Sequence, residues 1–146
     1  MWFEDIKFRW RLRKLQKVEK KISDSYQSDI DRARADKDFE REQFHVSGMF
    51  FELDNVGSEI RWLQHRYVTS QAERLLIPVP KFDTKSKDWS CSDVDGRWSL
   101  SPENLARLAR EVRQERRERL ELVFLWPSAL IGLVGGIVGI ASVFFG

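Results

Sequence analysis

The sequence predicts an all-α chain: a coiled-coil helical hairpin, then a long third helix continuous with a single C-terminal transmembrane helix. Three observations predict it. Residues 39–67 repeat apolar side chains in alternating steps of three and four. Residues 102–121 are a charged helical run. Residues 122–146 pass without one charge, in a chain 33% of whose residues are charged.

The first helix is expected from Glu4 to about Arg34. Phe8, Leu12, Leu15, Ile22 and Tyr26 recur at helical steps, and eight lysines and arginines cover much of the rest of residues 1–22, which carry a net charge of +5. Trp2, Phe3, Ile6 and Trp10 form an apolar tip. A basic amphipathic helix ending in Trp and Phe can lie on an anionic membrane surface. The competing reading, and the favoured one, is one arm of a helical hairpin with a solvated basic face. Residues 23–77 carry a net charge of −4, so the two arms have opposite signs and suit each other better than an outside polyanion. Nucleic acid is not expected as a partner, because no groove-reading motif accompanies the basic face.

The second helix is expected from about Asp38 to Leu76. Phe39, Val46, Leu53, Ile60 and Tyr67 are seven apart, and Met49, Val56 and Leu63 fill the alternate positions. This is the a/d pattern of a coiled-coil seam. Gly48 and Gly57 each cost about 1 kcal/mol against Ala, yet the register continues through both. The seam residues Met49, Leu53, Val56, Ile60 and Leu63 are expected to bury against Leu12, Leu15, Ile22 and Tyr26. A turn between the arms is placed near Ala35–Lys37. No Gly or Pro marks it, so one continuous helix stands as the alternative.

Residues 78–101 are expected to form a linker. Pro78 and Pro80 hold its start extended, Asp95-Gly96 is a turn, and Trp89 and Trp98 pin it to the hairpin. The local aspartates do not make a calcium loop: with Asp93, Asp95 and Gly96 aligned, Cys91 takes the first ligand position and Pro102 the place of the bidentate Glu. The single Cys91 excludes an internal disulfide and fits a reducing compartment. Ser101 is a good N-cap and Pro102 a good first residue for the third helix, although Asn104 stands where a capping box has Glu or Gln.

The run from Ser128 to Phe145 is 18 residues, about 27 Å of helix, close to the thickness of a hydrocarbon core. Trp126 suits the headgroup level, and Pro127 deprives the Val123 carbonyl of its helical partner. Ser128, Gly132, Gly135, Gly136, Gly139 and Ser142 fall on one face, which suits close self-association of helices in lipid. Arg107, Arg110, Arg113, Arg116, Arg117 and Arg119 precede the span and no Lys or Arg follows it, so the N-terminal side is expected to be cytoplasmic and Gly146 periplasmic. The organisation is therefore 1–77 hairpin, 78–101 linker, 102–121 juxtamembrane helix and 122–146 anchor.

Two stretches carry a resemblance. One is Glu59-Ile60-Arg61-Trp62-Leu63-Gln64-His65-Arg66-Tyr67, continued by Ala72-Glu73-Arg74-Leu75 and Ile77-Pro78-Val79-Pro80. The other is Trp98-Ser99-Leu100-Ser101, then Leu108, Val112-Arg113 and Glu115, leading to the Gly-rich end. Together they resemble small uncharacterised bacterial membrane proteins with an N-terminal helical hairpin and a C-terminal Gly-rich transmembrane helix. The resemblance covers roughly the C-terminal two-thirds. It implies a bacterial inner membrane and carries no catalytic residues.

The sequence holds no phosphate-binding loop, nucleophile motif or paired metal ligands. His45 and His65 are twenty residues apart, and His65 is expected to be an ordinary packed or surface side chain. No enzymatic activity, cofactor or metal is expected. The expected role is a homo-oligomeric scaffold or interaction module whose partners are the lipid bilayer and other copies of itself. Two alternatives stand beside it: a membrane-perturbing effector built on Gly-faced helices, and a regulator binding lipid or nucleic acid through the basic N-terminal helix.

Overall fold

A computed structural model of the chain contains α1 (Trp2–Ala35), α2 (Phe39–Arg74), a two-stranded hairpin of β1 (Trp89–Cys91) and β2 (Trp98–Leu100), and α3 (Pro102–Phe145). The structure describes residues 3–123, and outside that range only the helix bounds just given. The protein is mostly helical, as expected of an all-α chain. Among the described residues, no helix is long and apolar enough to cross a membrane. The expected span, with Ser128, Gly132, Gly135, Gly136, Gly139 and Ser142, lies outside them.

The turn between α1 and α2 explains how the hairpin closes without Gly or Pro. The Asp38 amide donates to the Ala33 carbonyl at 2.9 Å and the Lys37 amide to that of Arg34 at 3.1 Å. These are the paired bonds of a Schellman motif, and the residue that takes the left-handed position is Lys37, at φ 56. Asp38 then caps α2, its carboxylate accepting from the Arg41 amide at 3.0 Å. Arg34 reaches over the turn to Glu42 at 2.6 Å. Ile30 and Ala33 are fully buried on the last turns of α1. The end of α2 repeats the motif. The Ile77 amide donates to Ala72 at 2.9 Å and the Leu76 amide to Glu73 at 3.1 Å, with Leu76 left-handed at φ 61.

The two arms pack along their length, and the heptad positions face the partner, but they are not a sealed core. Val46, Met49, Leu53, Val56, Ile60, Leu63 and Tyr67 are half-buried, as are Leu12, Leu15, Ile22 and Tyr26 opposite. Full burial was expected for five of these seam residues. Two helices cover one stripe of each other and leave its flanks open to water, so most of the stripe stays half-covered; Ile30 and Ala33, beside the turn, are the exceptions. Phe39 departs from the seam. It is the first residue of α2, 78% exposed, because the turn ends beside it and α1 has no residue left to cover it. Gly48 marks the closest approach: a Cβ there would stand 3.1 Å from the Tyr26 ring, whose hydroxyl donates to Glu52 at 2.9 Å.

The sealed core lies at the other end. Ala72, Leu100, Leu108 and Val112 are buried, with Val68, Leu75, Ile77, Val79, Trp89 and Leu105 against them. Here α2, the β-hairpin and α3 supply three layers. The hairpin pairs Trp89 with Leu100, Ser90 with Ser99 and Cys91 with Trp98, so the large side chains share one face and the serines the other. What was expected as a linker is thus ordered structure. The Trp89 indole N–H donates to the Lys81 carbonyl at 2.9 Å, and Phe82 sits edge-on to both Trp89 and Trp98. Asn104 holds the start of α3 to the hairpin, donating to Asp88 at 2.8 Å and to the Ser101 hydroxyl at 3.0 Å.

A non-glycine residue in the left-handed region costs about 1 kcal/mol or more. Lys37→Gly relieves that cost in an exposed turn and is expected to stabilise the chain by about 1 kcal/mol. The rise in denaturant midpoint, with an unchanged slope, checks it.

Candidate functional site

Arg116 is the centre of the most elaborate polar arrangement in the protein. Five of the six arginines before the expected span, Arg107, Arg110, Arg113, Arg117 and Arg119, are exposed on α3; Arg116 is drawn inward. Its guanidinium pairs with Asp5 at 3.3 Å and donates to the side-chain oxygen of Gln71, which is 1% exposed. Asp5 also accepts from the Tyr67 hydroxyl at 2.8 Å, and the Tyr67 ring stacks on Phe8 with centroids 3.8 Å apart. The Arg116 Nε is buried and has no hydrogen-bond partner. Burial and the bond to Asp5 raise the Tyr67 hydroxyl above its usual range, opposed by Arg116. Two further contacts close the same end: Arg74 pairs with Glu4, and Arg119 donates to the Leu75 carbonyl at 3.2 Å while keeping its own pair with Glu115.

This clasp joins the first turn of α1 to the end of α2 and the middle of α3. Among the described residues, α1 and α3 both pack on α2 rather than on each other. A groove of about 580 Å³ lies between them. Phe8, Arg9 and Leu12 of α1 line one wall, Leu105, Ala109, Val112 and Arg113 of α3 the other, and Arg61, Gln64, Tyr67 and Val68 of α2 the floor.

Other expected site residues are placed as follows. Phe3 and Trp10 are exposed, at 89% and 66%, and Ile6 with them; Trp2 lies outside the described residues. His65 is not idle. Its Nδ1 accepts the Leu100 amide at 3.3 Å, and its ring meets Trp89 edge-on, so it fastens the β-hairpin to α2. Burial holds its pKa below the ordinary value. Ser58, also buried, fastens the hairpin loop by donating to Asp95 at 2.9 Å, with Ser92 at the same distance. Burial raises the Asp95 pKa, but bonds from the Arg97 amide, Ser58 and Ser92 outweigh it and leave the carboxyl below its usual value. Trp62 lies between Arg66 and Arg97. Sequence reasoning missed Asp5, Gln71 and Ser58. The one available signal was a buried-side polar residue one turn beyond the last heptad position, Gln71 after Tyr67. Among the described residues, no group of three or more His, Cys, Asp or Glu side chains is placed to hold a metal ion.

Removing Arg116 strands Asp5 against Tyr67 without its cation. Arg116→Met is expected to cost about 2–4 kcal/mol, less than for a fully buried pair because both side chains keep some exposure. Arg113→Met, three residues away and exposed, is expected to stay within about 0.5 kcal/mol. Urea melts of the two variants check the contrast.

His65 gives a pH dependence of defined sign. Its folded pKa lies below its unfolded value of 6.5, so the unfolded chain takes up the proton first as pH falls. The stability it contributes is complete above pH 6.5 and is lost as pH drops from there through the folded value. The midpoint is expected to fall between pH 7 and pH 5.5 in the native protein, and to fall less in His65→Gln.

No protein-family model matches the chain, and no curated protein or solved structure matches it.

Proposed function

We propose that the chain is a C-terminally anchored protein of a bacterial inner membrane, non-enzymatic, acting as a homo-oligomeric scaffold or interaction module on the cytoplasmic face. The observation that carries the reading is the apolar rim at one end of the folded part. Asp5 meets Arg116 and Leu75 meets Arg119, so the start of α1, the end of α2 and residues 116–123 of α3 share that end. Phe3, Ile6, Leu76, Leu120, Leu122 and Val123 are all exposed there. Phe39, Phe44, Phe50 and Phe51 are also exposed farther along the hairpin, so what supports the reading is that the exposed residues at this end adjoin an uncharged run. The uncharged run 122–146 departs from the same place. Leu76 is the most telling of the group, since it is 88% exposed in a left-handed conformation that glycine would adopt at no cost. Strain kept at an exposed apolar residue fits contact with something outside the chain. Lys7 and Arg11 flank the rim on α1 and suit anionic headgroups.

Self-association is assigned to the small-residue face of the span, Gly132, Gly135, Gly136 and Gly139, where backbones can approach in lipid. A reporter active only in the periplasm is expected to work when fused after Gly146 and to fail before Met1. In the same membranes, Gly136→Leu is expected to insert normally yet lose crosslinking between copies, while Ile137→Leu keeps it. A working N-terminal fusion alone would reverse the orientation, and equal crosslinking of all three proteins would remove the homo-oligomer.

A further inference from the structure

The groove between α1 and α3 is not explained by anchoring or by self-association of the span. Its volume, about 580 Å³, falls in the range of small-molecule sites, which bundles form between their helices. Its surface is of two kinds. Leu12, Val68, Leu105, Ala109 and Val112 make an apolar trough, and Arg9, Arg61, Arg113 and Arg116 are the only charged residues that line it. Four cations and no carboxylate face the same space. Among the described residues Arg9, Arg61 and Arg113 form no ion pair. Arg116 does pair with Asp5, but its Nε is buried without a partner at the clasp end of the groove.

We infer that this groove binds a long-chain fatty acid, with the chain along the apolar trough and the carboxylate among Arg9, Arg113 and Arg116. The register of the helices sets this polarity. Asp5 and Tyr67 lie level with Arg116, so Arg9 and Arg113 stand toward the clasp, and Leu12 and Leu105 stand about two and three turns away from it. The trough from Leu105 to Arg116 runs about 16 Å at 1.5 Å per residue. The inference is independent of the topology proposed above, since it rests on residues 5–116 alone.

The test uses the full chain in nanodiscs of zwitterionic lipid, with palmitic acid carrying a diazirine on its chain. Photolysis is expected to label Leu12, Val68 and residues 105–112, and unlabelled palmitate is expected to compete. Its methyl ester is expected to compete about tenfold less well, the loss of one charge-assisted bond. Arg9→Gln combined with Arg113→Gln changes only exposed side chains and is expected to weaken labelling to a similar extent. Ala109→Phe fills the trough and is expected to abolish it, with helicity unchanged by circular dichroism. Labelling confined to Phe3, Trp10 or residues 120–146 would mean simple partition into the bilayer and would overturn the site. Equal competition by ester and acid would do the same. So would an Ala109→Cys protein, in a Cys91→Ser background, that forms a disulfide with a second copy equally fast with and without palmitate, because the groove would then be a subunit interface.

Discussion

The half-buried ion pair between Asp5 and Arg116 is what turns three helices into one body. α1 and α2 recognise each other through a heptad stripe, and α2 and α3 through the small core around Leu108 and Val112. Neither contact fixes α1 relative to α3. That is done by two residues 111 positions apart in sequence, with Tyr67 and Gln71 supplying the remaining bonds. Such a pair gives back most of its attraction as desolvation cost, so its net contribution is modest. Its consequence is geometric. Breaking it leaves a carboxylate facing Tyr67 and a guanidinium facing Gln71, and that penalty excludes arrangements in which α1 swings away.

The uneven burial follows from the number of layers. Where only α1 and α2 meet, seam residues stay half-covered and Phe44, Phe50 and Phe51 remain exposed. Where α3 and the β-hairpin join them, burial becomes complete. The long arms give the molecule length; the larger buried cluster lies at the clasp end and a smaller one, Ile30 and Ala33, beside the turn. Within that end, polar fasteners do much of the joining: His65 to Leu100, Ser58 to Asp95, Asn104 to Asp88. Each uses a side chain to satisfy a backbone or carboxylate group that the short strands leave unpaired.

The helices and the seam were legible because heptad spacing is a local property repeated along the chain. The turn at Lys37 was placed correctly but without a mechanism, since a Schellman motif closed by lysine has no residue that announces it. The β-hairpin was hidden for another reason. Strands of three residues are too short to show alternation, and Trp-Ser-Cys and Trp-Ser-Leu gain meaning only once they are paired. Arg116 was visible as one of six membrane-proximal arginines and indistinguishable from the others. Its inward direction depends on Asp5 and Gln71, and no sequence period links residues that far apart. Asn104, a defect when read as a capping box, is a tie between α3 and the hairpin.

The clasp and the groove act on the same distance, the separation of α1 from α3. A ligand along Leu12 and Leu105 would supply the apolar contact those helices lack, and a carboxylate near Arg9 and Arg113 would offset the repulsion between those two cations. Asp5 already neutralises Arg116. Because α3 leads into the uncharged run and α1 begins at the apolar rim, the spacing of the two helices also sets how far Phe3 and Ile6 stand from Leu120, Leu122 and Val123.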